Sequence, residues 1–161
     1  MLANFSAITA RLLTTGAIVF VLGGMARCGQ PPETGSVEVP QVPQGQARIW
    51  VYRLFEPAES LNLAAVMFNG SNVGYSQMGG AFYRDVEPGL YHITVTSYGV
   101  DFSQSSEVDL AAGQEAFDQI KSLRSWVESK RNVQSDTFYA WLIPSDIARP
   151  QIAQSAFFGG N

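Results

Sequence analysis

The amino-acid sequence predicts a mostly β fold: a small antiparallel β-sandwich followed by a short C-terminal helix. Fifteen glycines and eight prolines among 161 residues indicate many turns. Between these turns, short segments alternate apolar and polar residues, which is the periodicity of half-buried strands. The turn signals recur about every 8 to 12 residues, a spacing typical of sandwiches and barrels.

The N-terminus has the organisation of an export signal. Residues 1–11 lack acidic side chains, and Leu12–Ala26 is an uncharged, mostly apolar run of 15 residues. That run is shorter than the roughly 20 residues that a membrane-spanning helix needs. A positive start, an apolar core and small residues at its end are the parts of a secretory signal peptide. We therefore expect residues 1–27 to be a signal peptide.

Two cleavage sites remain open. Gly24-Met25-Ala26 fits an ordinary signal-peptidase site that would release Arg27 as the new N-terminus. Met25-Ala26-Arg27-Cys28 resembles a bacterial lipobox, in which the cysteine becomes the first residue and carries lipid. Cys28 is the one cysteine of the chain and follows the apolar core after a single residue, Arg27, which stands where a lipobox has a small residue. The sequence favours lipid attachment at Cys28. Gly29 in place of an aspartate favours the outer membrane.

The next segment predicts a tether. Residues 28–46 contain four prolines, and their large apolar residues are three valines. Prolines remove backbone donors and favour extended chain, so such a segment is a spacer rather than a folded element.

The predicted strands follow in order from residue 46. The first, Gln46–Leu54, places Ile49 and Val51 on the opposite face from Trp50 and Tyr52. The others are Leu63–Phe68, Val73–Gln77, Ala81–Val86, Leu90–Thr96 and a strand near Ser105–Leu110. Asn69-Gly70 predicts a tight hairpin. Pro88 followed by Gly89 predicts the turn before the fifth strand.

These turns carry a family resemblance. Asn69-Gly70, Val73-Gly74, Gly80-Ala81-Phe82 and Val86-Glu87-Pro88-Gly89 resemble the core of the DUF2846 family and of the related PEGA-type domains. Ala47–Arg53 resembles the opening strand of that family, and Phe138–Pro144 resembles its end. The resemblance implies a transthyretin- or PEGA-like sandwich over residues 47–158. It implies an envelope protein, and it brings no catalytic residues with it.

Two parts near the C-terminus depart from this pattern or extend it. Ala116, Phe117, Ile120 and Leu123 have helical spacing where the family has a strand, so residues 114–131 are left open between helix and strand. Pro150 is expected to open the C-terminal helix, which Gly159-Gly160 would end.

The charge balance argues against a nucleic-acid partner. Fourteen acidic and eight basic residues follow Cys28, which gives this part a net charge of −6. Nucleic-acid binders normally have the opposite balance. The only basic-aromatic cluster could contact lipid headgroups or an envelope polymer, and consists of Lys121, Arg124, Trp126, Lys130 and Arg131.

No residue pattern indicates catalysis, a cofactor or a metal. His92 is the one histidine and falls on the polar face of its predicted strand. Asp85 and Glu87 flank a turn, and the acids Asp101, Glu107 and Asp109 match no calcium loop. We therefore expect a non-enzymatic binding or structural module that faces the periplasm. Its membrane contact would be a lipid on Cys28, and its partner an envelope protein or the cell wall. The alternative is a soluble periplasmic ligand-binding protein, or a hydrolase whose site forms only on folding.

Overall fold

The computed structural model describes residues 30–57, 59–97, 105–126 and 134–160. The signal peptide and Cys28 lie outside these ranges. Within them, nine strands form two packed sheets, and one α-helix packs on the five-stranded sheet. The elements are β1 (Ala47–Tyr52), β2 (Ala64–Phe68), β3 (Ser71–Ser76), β4 (Gly80–Val86), β5 (Gly89–Val95), β6 (Ser106–Leu110), β7 (Glu115–Trp126), β8 (Gln134–Leu142), α1 (Ser145–Ala153) and β9 (Ala156–Phe157).

The predicted β-sandwich with a short C-terminal helix is confirmed. One sheet has the strand order β8-β7-β1-β4-β9 and the other has the order β3-β2-β5-β6. The four-stranded sheet is antiparallel throughout. The five-stranded sheet is mixed, because β1 pairs in parallel with β7 and β4 pairs in parallel with β9.

The predicted hairpin turn forms at Asn69-Gly70, between β2 and β3. Both residues have positive φ, 49° at Asn69 and 81° at Gly70. A two-residue hairpin loop needs this backbone because its twist matches that of the strands, and asparagine and glycine tolerate it best.

The centre of the five-stranded sheet, at β1, is buried on both of its faces. One face of β1, with Ile49 and Val51, packs between the sheets against Val66, Phe68 and Ile93. The opposite face of β1 joins a second cluster beneath α1, made of Trp50, Tyr52, Ala81, Tyr83, Phe117, Ala148 and Ile152. All six residues of β1 are therefore buried.

The open question at residues 114–131 is answered for its first part, because Glu115–Trp126 is strand β7. The apolar residues resemble a helical pattern because the strand is buried on two sides. Ala116 and Ile120 face the core between the sheets, whereas Phe117 faces α1. Residues 127–133 lie outside the described ranges.

The expectation that Pro150 opens the C-terminal helix is wrong. The helix α1 begins at Ser145, directly after Pro144, and Pro150 lies inside it. Ala148 and Ile152, on either side of this proline, are buried against the sheet. Nor do Gly159-Gly160 end the helix, because it stops at Ala153 and the strand β9 intervenes.

Substitution of neighbouring residues of β7 tests its alternation. We expect Ile120→Ala to lower the free energy of unfolding by about 2–5 kcal/mol, because a fully buried side chain leaves a cavity between the sheets. Lys121→Ala, on the opposite face, should cost less than about 1 kcal/mol. Urea denaturation of both variants measures the difference, and equal losses would contradict the strand.

Candidate functional site

A cavity of about 550 Å³ lies on the outer face of the five-stranded sheet, between an N-terminal stretch of chain and helix α1. We call the stretch 34–42 the N-terminal strap. Strands β1 and β7 form the floor of the cavity through Arg48, Trp50, Glu115 and Phe117. The helix contributes Arg149, Ile152 and Ala153 to the wall, and the strap contributes Thr34, Gly35, Val39, Pro40, Gln41 and Val42.

The strap is held at its first residues by the end of the chain. The Thr34 amide and hydroxyl both donate to the Ser155 carbonyl, at 2.8 and 3.0 Å. The Phe157 amide donates to the Pro32 carbonyl at 2.7 Å. A Cβ at Gly35 would lie 3.0 Å from the Ala153 carbonyl oxygen, so the strap approaches α1 as closely as a glycine permits. The described part of the predicted tether therefore includes residues that pack on the domain.

Arg48 holds the strap farther along. Its Nη1 donates to the Pro40 carbonyl at 2.7 Å, while Nε and Nη2 donate to the two carboxylate oxygens of Asp85 at 2.6 and 2.9 Å. The guanidinium carbon lies 3.9 Å from the centre of the Tyr83 ring. Burial lowers the pKa of Arg48, but the hydrogen bond and charge of Asp85 more than offset this, so the pKa lies above its ordinary value. Arg48 is thus a fixed cation with its charge neutralised.

A second ion pair lies at the rim of the cavity. Glu115 accepts a hydrogen bond from the Trp50 indole nitrogen at 3.2 Å and forms an ion pair with Arg149. The Arg149 guanidinium also lies 5.0 Å from the centre of the Phe117 ring. The Arg149 side chain is 58% exposed, so its guanidinium can move away from Glu115 and stay in contact with solvent. The cavity therefore combines an aromatic floor with polar groups that are already paired.

Another polar cluster closes the opposite end of the sandwich. Arg53 donates to Glu59, to the Asn62 carbonyl and to the Ser122 hydroxyl at 3.0–3.2 Å. Asp136 of β8 accepts from Ser60 and, at 2.6 Å, from the Asn62 amide. These groups tie the β1–β2 loop to β7 and β8. The role of this cluster is structural, because the side chains of Arg53 and Glu59 are almost completely buried.

Asp118 is a carboxyl group buried between the sheets. One of its oxygens accepts a hydrogen bond from Ser106 of β6, and Oδ1 has no partner in the described structure. Burial raises the pKa of Asp118 to about 7, although the hydrogen bonds from Ser106 and from the Trp141 backbone oppose the rise. Burial together with the Asp118 charge also raises the pKa of Tyr52 to about 12. The Tyr52 hydroxyl therefore stays protonated and donates to Gln151 of α1 at 2.7 Å.

Lys121, the member of the basic-aromatic cluster whose side chain the structure describes, is not among the residues that line this cavity. It projects from β7 with its ammonium nitrogen 5.2 Å from the centre of the Trp141 ring. The backbones of Arg124 and Trp126 continue β7, but their side chains lie outside the description, as do Lys130 and Arg131. Cys28, the candidate lipid site, also lies outside it.

His92 and the candidate acids in the described ranges are not among the residues that line the cavity. His92 forms a contact of 3.2 Å with Glu107 on the exposed face of the four-stranded sheet. Asp85 belongs to the Arg48 pair, and Asp101 lies outside the described residues. Among the described residues, no three histidine, cysteine or acidic side chains are placed to hold a metal ion. Sequence reasoning missed Arg48, Glu115 and Arg149, whose partners are 34 or more positions away.

No protein-family model, curated protein or solved structure matches this chain. In the described part of the chain, no helix has the length and apolar character needed to cross a membrane.

The buried carboxyl of Asp118 should make stability fall as the pH rises. Between its unfolded pKa near 4 and its folded pKa of about 7, the folded chain holds a proton that the unfolded chain releases. The free energy of unfolding therefore declines through this window. We expect Asp118→Asn to remove the decline and to be more stable than wild type at pH 8, by about 1 kcal/mol or more.

Urea denaturation from pH 4 to pH 8 measures this effect. Asp109→Asn removes an exposed carboxylate of β6 and is the matched control, which should keep the wild-type slope. A parallel pH dependence in wild type and Asp118→Asn would show that this carboxyl does not titrate in the window.

Proposed function

We propose that this chain is an exported, lipid-anchored binding module of the bacterial envelope, facing the periplasm. The observation that carries the proposal is the cavity beneath the N-terminal strap. The strap belongs to the segment that follows Cys28 in the sequence. A concave site with an aromatic floor and a few fixed polar groups is the usual form of a small-molecule or peptide site.

The cavity suits a neutral, amphipathic ligand. Its two cations, Arg48 and Arg149, are each paired with a carboxylate, so a charged ligand would have to break an existing pair. Trp50 and Phe117 offer apolar and aromatic surface on the floor. Glu115 and Arg149 lie at the rim and can exchange their mutual bond for hydrogen bonds to a polar ligand group.

The anchor is supported by the sequence. The apolar run Leu12–Ala26 ends directly before Arg27-Cys28, so the single cysteine lies at the end of the predicted signal peptide, where lipidation would occur. Two or more acyl chains at Cys28 would anchor the domain stably, whereas one chain binds reversibly. The competing arrangement is cleavage before Arg27, which would release a soluble periplasmic protein with the same cavity.

The mass of the mature protein distinguishes these arrangements. We expect wild-type protein from its native membrane to begin at Cys28 and to carry about three acyl chains. Cys28→Ala should lack this added mass and should leave the membrane fraction or keep its signal peptide. An unlipidated wild-type chain that begins at Arg27 would overturn the anchor and leave a soluble binding role.

Binding in the cavity can be measured at the Trp50 indole N–H, which already bonds to Glu115. We use phenyl β-glucoside as a neutral amphipathic probe and record the indole ¹⁵N–¹H signals of the full protein in lipid nanodiscs. The Trp50 signal, assigned with Trp50→Phe, should shift saturably. Val42→Phe, which fills the cavity from the strap, should weaken binding at least about tenfold, a loss of about 1.4 kcal/mol.

Leu90→Phe is the control for this measurement, because Leu90 is exposed and lies on the other sheet. It should bind the probe like wild type. An unchanged Trp50 signal, or equal binding by Val42→Phe, would count against a ligand site under the strap.

A further inference from the structure

Two exposed phenylalanines lie side by side at one end of the sandwich. The Phe55 side chain is 73% exposed and Phe158 is 40% exposed. They cover the glycine turn before β4: a Cβ on Gly79 would lie 3.5 Å from the Phe55 Cβ, and a Cβ on Gly80 would lie 2.5 Å from the Phe158 ring. We call Phe55, Phe158 and the turn between them the aromatic end.

The backbone on both sides of the aromatic end is hydrogen-bonded to the start of β4. The Arg53 amide donates to the Gly80 carbonyl at 2.9 Å, which fixes the chain just before Phe55. The Phe158 amide donates to the Ala81 carbonyl at 2.8 Å. Both rings are therefore attached to backbone that is tied to β4, and a large part of their area is exposed.

The chain enters the domain at this same end. Gln30 and Pro31 line a depression of about 500 Å³ together with Phe55, Met78 and Phe158. Pro32 is fixed by the Phe157 amide. Cys28 precedes Gln30 by two residues, and two residues of extended chain span at most about 7 Å. A group attached to Cys28 is therefore confined to the neighbourhood of the aromatic end.

We propose that the aromatic end is a membrane-contact surface, on which Phe55 and Phe158 insert into the lipid interface beside the anchor. The proposal rests on the lipid attachment proposed for Cys28. Phenyl rings at the level of the lipid headgroups bury apolar area that the domain otherwise exposes. The surface would hold the domain in one orientation, with the anchor and the two rings as three points of contact.

The charges near the aromatic end indicate which lipid it contacts. Glu33 lines the depression described above, and Glu56 lines a second depression on another side of Phe55. Both glutamates are exposed. They would be repelled by an anionic membrane and favour zwitterionic headgroups. They also disfavour a second copy of this chain as the occupant, because the two acidic surfaces would face each other.

Spin-label accessibility tests this surface on the full protein, purified from its native membrane and placed in phosphatidylcholine vesicles. Phe55→Cys and Phe158→Cys each receive a nitroxide. Leu90→Cys is the control, since Leu90 is 62% exposed and follows the Pro88 turn at the far end of β4. That strand separates the two ends by roughly 20 Å.

We expect the labels at positions 55 and 158 to collide more often with oxygen and several-fold less often with a water-soluble nickel chelate than the label at position 90. Wild type without an added cysteine separates the test of the lipid anchor at Cys28 from the test of the membrane-contact surface. If it binds vesicles and takes no label, Cys28 is lipidated, and equal nickel accessibility at all three positions would then overturn the membrane-contact surface alone. If wild type takes the label and stays in solution, the anchor itself fails, and the surface fails with it.

Discussion

The guanidinium of Arg48 connects three parts of the chain that are distant in sequence. It lies on β1, bonds both carboxylate oxygens of Asp85 on β4, and bonds the Pro40 carbonyl of the strap. Removal of one member of such a buried pair typically costs about 3–5 kcal/mol, because the other member is left charged and without its partner. An exchange of the whole pair for apolar residues is often neutral. The pair therefore contributes geometry more than net stability, and that geometry holds the strap above the cavity floor.

Strand β1 carries apolar residues on both of its faces, so its outer face also has to be covered by other parts of the chain. A sheet that faces water on one side can present polar residues there, but β1 presents Trp50 and Tyr52 to the outer side. Helix α1 covers part of this surface and the strap covers another part. The two covers meet where Gly35 approaches Ala153, and the cavity lies between them farther along the strap. Its floor is aromatic because Trp50 and Phe117 belong to the apolar outer face of β1 and β7.

The local features of the fold could be predicted from the sequence, because alternation and turn chemistry act between near neighbours. The hairpin at Asn69-Gly70 and the strands around it are examples. The nature of β7 could not be predicted, because a strand buried on both sides loses its alternation and imitates a helix at Ala116, Phe117 and Ile120. The cavity was also beyond prediction. Its ion pairs join residues that are 37 and 34 positions apart. The four prolines of residues 28–46 predicted a spacer, although Val39 packs in the outer cluster.

The pairing of the strap with the last strand has a consequence for the order of folding. Thr34 bonds Ser155 across 121 positions, and Glu33 pairs with Ala156. The contact between Thr34 and Ser155 therefore cannot form until the intervening strands of the sandwich have been synthesised. Contacts of such long range pay their loop-closure entropy late and form slowly. Closure of the strap over the cavity therefore depends on residues that follow the whole sandwich, and a chain cut before Ser145 would lack both α1 and the partner of Thr34.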